Sequence, residues 1–350
     1  MEDLESLARR TSPSRRTGAQ GDTPPRTSSR GDGPNVNGSS DGLARVFIIG
    51  CPRSGTTWLQ LLLAQHPSVA TARETYVFNR YLAGLERGWE FDSAGGAAAR
   101  EPVGLVPILA EDEFWSWAQR LPDLVFERLR DGRPDVTTIV EKTPAHTLDW
   151  PLILRLYPDA VFLHMIRDPR SVVSSLVRAS RTWATNWASQ SPVDEARRWK
   201  QFVTEGRRIA TSTDRYLEVR YEDLLEDTSG TLGGVFEWLQ LSHDASLCET
   251  AAEACRIDRL RSRESEEVIP WDHPEPDGFF GKGRSDSWRE DLTKGQLETV
   301  EFLAADLMAE LGYERVTDRD SRPLRLWLRE GLEWRFRHLF RRLESWLERL

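Results

Sequence analysis

Short apolar runs recur through the middle of the chain, each followed by a turn and then by helical spacing. Residues 46–49 form a continuous apolar run, which predicts a strand buried on both faces of a sheet, and 138–140, 160–166 and 216–219 read as further strands. A further short strand is expected just before Glu74. The first run leads into a helix over 58–65, stopped before Pro67. Residues 75–135 read as mostly helical, and a helix over 145–156 ends before Pro158. Asp168 is placed to cap the next helix, with Pro169 at its first position. An amphipathic helix over 194–211 and helices over 229–240 and 294–311 complete the pattern. Strands alternating with helices predict an α/β fold: a P-loop-like, three-layer arrangement with a mainly parallel sheet flanked by helices. Ligands of such sheets bind at the carboxyl ends of the strands.

The ends of the chain read differently. Residues 1–44 are rich in Ser, Thr, Gly, Pro and Arg, and predict a disordered tail. The folded domain is expected over 45–315, and an amphipathic helix over 316–350. Within 324–350, Leu332, Phe336, Leu339, Leu343, Trp346 and Leu350 alternate four- and three-residue spacings. Residues 322–350 hold eight Arg against four Glu, a net of +4. Such a helix can pack back on the domain, pair as a homodimer seam, or lie peripherally on an anionic membrane.

Composition narrows the function. A net charge of −9 argues against a nucleic-acid binder. The three cysteines, Cys51, Cys248 and Cys255, make neither a disulfide framework nor a zinc pattern. No run reaches the ~18–20 apolar residues of a membrane span, and the start Met-Glu-Asp lacks an apolar signal core. The expected location is cytoplasmic, with the membrane periphery as the alternative through 324–350.

The chemistry concentrates at two strand ends. After 46–49 comes Gly50-Cys-Pro-Arg-Ser-Gly-Thr-Thr57, and then the helix. Strand, glycine turn and helix form an anion cradle, because turn and helix N–H groups converge on one spot. Gly50 and Gly55 allow close backbone approach; Arg53, Ser54, Thr56 and Thr57 supply donors. Thr56 stands where a nucleotide-hydrolase loop carries its lysine, so ATP γ-phosphate chemistry is poorly served. Cys51 in this loop reads as a small tolerated residue rather than a nucleophile. The second end is Arg167-Asp-Pro-Arg-Ser-Val-Val-Ser-Ser175, where a phosphate would meet a helix start, Arg167 and several serines. Spacing alone does not choose Ser175 over Ser171 or Ser174.

Together these segments resemble the sulfotransferases that use 3′-phosphoadenosine 5′-phosphosulfate (PAPS), and most resemble the tyrosylprotein type. The resemblance spans roughly 45–315. It includes Glu141-Lys142-x-Pro144, Leu217-Glu-Val-Arg-Tyr-Glu-Asp-Leu224, Trp288 and Leu311-Gly-Tyr313. It implies that Arg53, Gly55, Thr56 and Thr57, with Ser54, hold the 5′-phosphosulfate, and that Arg167 and Ser175 hold the 3′-phosphate. Glu74 matches the base of tyrosylprotein sulfotransferases and Glu141 that of heparan-type N-sulfotransferases; Glu74 is favoured and both stay open. Lys142 and Arg53 would assist the sulfonate and the leaving oxygen. Lys282, Arg284 and Ser285 look like a late loop closing over the 3′-phosphate, or equally a solvated surface loop. His146 and His164 are lesser candidates for the base, and His164, inside a strand, reads as core.

The implied reaction is in-line sulfuryl transfer from PAPS to a small-molecule, glycan or protein hydroxyl, with no metal. A small-molecule P-loop kinase and a non-catalytic nucleotide-fold scaffold are the competing classes. Trp183 and Trp187, in 181–192, either stack on an acceptor ring or cover the core.

Overall fold

The computed structural model describes residues 42–95, 101–130, 132–262, 268–272 and 275–318. Residues 1–41 of the expected tail over 1–44, and the expected helix over 324–350, lie outside the described residues; Leu43 and Ala44, expected in the tail, are buried, and Ala44 begins the first strand. The strands are β1 (Ala44–Ile49), β2 (Val69–Thr71), β3 (Thr138–Lys142), β4 (Val161–Ile166) and β5 (Tyr216–Arg220). The helices are α1 (Thr56–Leu63), α2 (Ala83–Ser93), α3 (Glu111–Arg130), α4 (Trp150–Leu156), α5 (Pro169–Ala179) and α6 (Pro192–Arg208). They continue with α7 (Tyr221–Glu226), α8 (Thr228–Trp238), α9 (Ala245–Ala254), α10 (Ile257–Leu260), α11 (Trp288–Asp291) and α12 (Lys294–Glu310). A π-helical turn, Val77–Leu82, precedes α2, and a 3₁₀ turn, Pro144–Leu148, precedes α4.

The sheet is parallel throughout, in the order β2-β3-β1-β4-β5. The expected strand segments form β3, β1 and β4 in its interior and β5 at its edge, and all six residues of β4 are buried. Alternate residues of β1 feed two cores. Val46 and Ile48 join Leu59, Leu62, Met165 and Phe236 on the α1 and α8 side. Phe47 and Ile49 join Phe78, Phe126, Ile153 and Phe162 on the α3 and α4 side. Burying both faces explains why β1 reads as a continuous run.

The predicted helix over 145–156 divides in two, because Pro151 starts α4 afresh after the 3₁₀ turn. The mostly helical stretch 75–135 is interrupted between α2 and α3. Asp168 does cap α5, its side chain accepting from Arg170 N at 2.8 Å. From β1 the chain goes out to β2, returns through β3, and crosses to β4 on the other side of β1. The sheet therefore reverses direction between β1 and β4, which places a ligand crevice at their carboxyl ends. Both sequence motifs begin there. Among the described residues no helix is long and apolar enough to cross a membrane.

Candidate active site

A cavity of about 720 Å³ lies over these strand ends. Its floor is the loop from Gly50 to Gly55. Gly50 has φ 137, and a Cβ there would sit 2.5 Å from Met165 O. Gly55 has φ 100, and its Cβ would sit 2.6 Å from the Tyr221 ring. Glycine is therefore required at both, and it brings the loop backbone down onto β4 and α7. Helix α1 begins at Thr56 with no side-chain cap, so its first N–H groups face the cavity mouth as free donors. Two buried atoms beside them, Ser54 Oγ and Arg167 Nε, have no protein partner. A donor set with unspent hydrogens fits an anionic group with several oxygens.

Six arginines line this cavity, and three of them, Arg53, Arg167 and Arg178, crowd its phosphate-loop side. Arg53 adopts φ 75, lies 5.3 Å from the Trp183 ring centre and 4.8 Å from that of Phe279, and donates from Nε to Ser175 Oγ at 3.1 Å. It also makes a short hydrogen bond to the Phe279 carbonyl. Burial, followed by the fields of Arg167 and Arg178, pushes its pKa down to about 10. This crowding of like charge is what a multiply charged anion would relieve. Arg167 lies 3.7 Å over the Tyr221 ring and donates to the carbonyls of Arg53 and Arg284 at 3.2 and 3.1 Å.

Helical spacing separates the three serines of α5. Ser171 and Ser175, four residues apart, line the cavity with Arg178. Ser174 turns away and bonds back to Ser171 O at 3.1 Å. Ser171 donates to the carbonyl of Ser285 at 2.6 Å. Arg170 does not reach the cavity: its guanidinium is buried on Asp168, Glu301 and the Glu314 carbonyl.

The late loop only partly matches its expectation. Lys282 lines the cavity but pairs with Glu290 and Asp291 at 3.0 and 2.9 Å. The Arg284 side chain is spent on Asp286 and Glu290, so Arg284 and Ser285 meet Arg167 and Ser171 through their carbonyls. Ser54, likewise, sits beneath the loop rather than in the cavity wall.

The two candidate carboxylates face opposite ways because Glu141 and Lys142 are neighbours on β3, where successive side chains alternate. Lys142 points to the cavity and meets Glu74 Oε1 at 2.6 Å. Glu74 lines the cavity, and its other oxygen takes a short hydrogen bond from Tyr76 OH. Glu141 lies under the sheet end and is not in the cavity wall. It accepts from Thr75 Oγ1, Thr143 Oγ1 and His146 Nδ1 at 2.8, 2.7 and 2.7 Å. His146 Nε2 lies 3.3 Å from Phe78 N on its other side. Burial opposes charge on Glu141, but the field of His146 and the hydrogen bonds from His146, Thr143 and Thr75 outweigh it and hold the carboxyl at about 2, against an ordinary 4.5.

A folded pKa below the unfolded one means that Glu141 contributes stability fully above about pH 4.5 and loses it as pH falls toward 2. Glu141→Gln is therefore expected to be less stable at neutral pH and to have a flatter stability curve across that window. Urea titrations of both proteins from pH 6 to 2.5 check this; parallel curves would overturn it.

The remaining candidates are structural. His164 is fully buried, bonds Tyr216 OH at 2.6 Å, and is pushed down to about 3 by burial and by Arg207. Burial pushes the Cys51 thiol upward, away from nucleophilic use. Trp183 and Trp187 both line the cavity, with ring centres 5.8 Å apart. Sequence reasoning missed Tyr76, Glu275 and Phe279. Glu275 pairs with Arg73 at 3.5 Å in the cavity wall, and burial raises its pKa. Only Tyr76, next to the Glu-Thr of the base segment, carried a local signal.

A parallel α/β sheet with a glycine-flanked loop after β1 and an arginine at the end of β4 defines a P-loop-like α/β fold. The model of the sulfotransferase family matches residues 45–245, and the chain belongs to that family. Nodulation protein NoeE of Sinorhizobium fredii is 25% identical over 296 residues, covering 77% of this chain and 66% of NoeE. Protein-tyrosine sulfotransferase 1 of Homo sapiens is 32% identical over 141 residues, 40% of this chain and 35% of that protein. The chain thus spans about one third to two thirds of these curated relatives. The sulfotransferase domain from the curacin biosynthetic pathway is 18% identical with a TM-score of 0.49, covering 77% of this chain and 97% of that one.

Proposed function

We propose that the chain transfers a sulfuryl group from PAPS to a hydroxyl acceptor in line, with Glu74 as the general base. The observation that carries this reading is the Glu74–Lys142 pair, which faces the phosphate loop across one cavity. Arg53 and the loop donors, with Thr56 and Thr57, would hold the 5′-phosphosulfate. Arg167, Ser171 and Ser175 would hold the 3′-phosphate, the group that separates this donor from ATP. The donor supplies an activated sulfur; the protein supplies position, charge and a proton acceptor.

Glu74 takes the acceptor proton, while Lys142, freed from the carboxylate as it is protonated, steadies the sulfonate or leaving oxygen. Glu141 acts as a positioning residue: it holds Thr75 and so fixes the backbone beside Glu74. The acceptor class is a hydroxyl on a small molecule, glycan or protein, entering past Trp183 and Trp187. A kinase reading would need Mg-ATP to be the better ligand, although Thr56 stands at the lysine position.

Adenosine 3′,5′-bisphosphate should raise the melting temperature, by about 2.7 kcal/mol of linkage at a hundredfold excess over Kd. Arg53→Ala and Arg167→Ala should abolish the shift. A shift of wild-type size in both variants, or a larger one from Mg-ATP, would overturn the assignment.

A further inference from the structure

Tyr76 stands toward Glu74 as an acceptor hydroxyl would have to stand. Its phenol donates to Glu74 Oε2, opposite the oxygen held by Lys142. It lines the same cavity as Arg53, Thr56 and Thr57. Its placement is closely determined. The backbone takes the left-handed conformation, φ 54, at the start of the π-helical turn. Its N–H donates to Thr143 Oγ1 at 3.3 Å, on the segment that carries Lys142. The Arg80 guanidinium lies 3.5 Å from the ring centre. A non-glycine residue at positive φ persists only where its surroundings hold it, and such strain gathers at working sites. Here it delivers a phenol to the carboxylate proposed as the base.

We propose that Tyr76 is itself a sulfuryl acceptor, so that without an outside hydroxyl the chain sulfates its own cavity wall. This rests on the reading of the chain as a PAPS-dependent sulfotransferase with Glu74 as base. The step balances without a further reagent. Glu74 takes the phenolic proton as the Tyr76 oxygen bonds to sulfur. The bond from sulfur to the bridging oxygen of the phosphosulfate breaks, and its electron pair leaves with adenosine 3′,5′-bisphosphate. The product ester is an anion beside Arg73, Arg80 and Lys142, which also line the cavity. It fills the acceptor side and halts turnover on outside acceptors.

The test incubates the full chain with PAPS alone and, separately, with PAPS and a small phenol such as p-nitrophenol, followed by peptide mass mapping. The expected result is a gain of one SO₃ on the peptide carrying Tyr76. It should be suppressed by the added phenol, absent in Tyr76→Phe, and slowed at least about 100-fold in Glu74→Gln. Mapping the wild type keeps the test independent of how Tyr76→Phe folds. Sulfation of the added phenol, with the Tyr76 peptide unmodified even after incubation with PAPS alone, would overturn this proposal and leave the functional reading standing; Tyr76 would then only orient Glu74. Sulfation of neither, with the bisphosphate bound, would overturn both.

Discussion

Glu74→Gln is expected to lower sulfuryl transfer by about 10²–10⁴ while bisphosphate binding persists. Glutamine keeps the shape of the side chain, but Lys142 and Tyr76 donate to the two carboxylate oxygens now, and the single amide oxygen can replace only one of those acceptors. What it cannot do is take up the acceptor's proton. A second effect has to be separated from the first. Lys142 is only 4% exposed, so losing its carboxylate leaves a buried ammonium less well compensated and lowers stability. Single-turnover transfer from labelled PAPS, read beside thermal melts with and without bisphosphate, distinguishes the two. A variant that melts earlier, binds bisphosphate and fails to transfer fits the base role. Transfer at the wild-type rate would remove Glu74 from that role.

Arg170→Ala is expected to cost about 3–5 kcal/mol of stability, the range for removing one partner of a buried ion pair. Arg170 belongs to the same Arg-Asp-Pro-Arg segment as Arg167. In the fold it is a strut. Its guanidinium ties Asp168, the cap of α5, to Glu301 on α12, and it bonds the Glu314 carbonyl at 3.0 Å. Glu301 is fully buried and accepts further from Val316 N and Thr317 N. Removing the arginine strands two buried carboxylates and loosens the contact of α12 with α5. Urea denaturation measures the cost. A loss below about 1 kcal/mol would show that the carboxylates find other partners, since that is the scale of an exposed pair.

These two arginines mark where the sequence stops being legible. The phosphate loop could be read directly, because the chemistry of an anion cradle is local: a buried strand, a glycine turn and a helix start within twelve residues. The strand ends and the cap at Asp168 could be read for the same reason. Of the three serines only Ser171 and Ser175 meet the cavity, since only one face of α5 turns toward it. Which of Glu74 and Glu141 lines the cavity depends on which way β3 faces, and that is set by the cores on either side of the sheet.

Two of the residues that were missed lie farther off in sequence. Phe279 and Glu275 reach the cavity only because their segment folds back over α5, and no periodicity or motif marks that return. Arg284 and Ser285 were legible as polar residues in a glycine-flanked loop, but neighbouring acids took the arginine and left its carbonyl to face Arg167.

Residues adjacent in the chain made three things legible: the strands of the sheet, the glycine-flanked loop after β1, and the threonine at the lysine position, which serves γ-phosphate chemistry poorly. The tertiary structure alone decided that the loop shares one cavity with Arg167, Ser175 and the Glu74–Lys142 pair. It also decided that Glu141 and Arg170 are spent as supports. Those outcomes depend on which strand lies beside which and which face of each element turns inward, and these are set by packing across the sheet rather than along the chain.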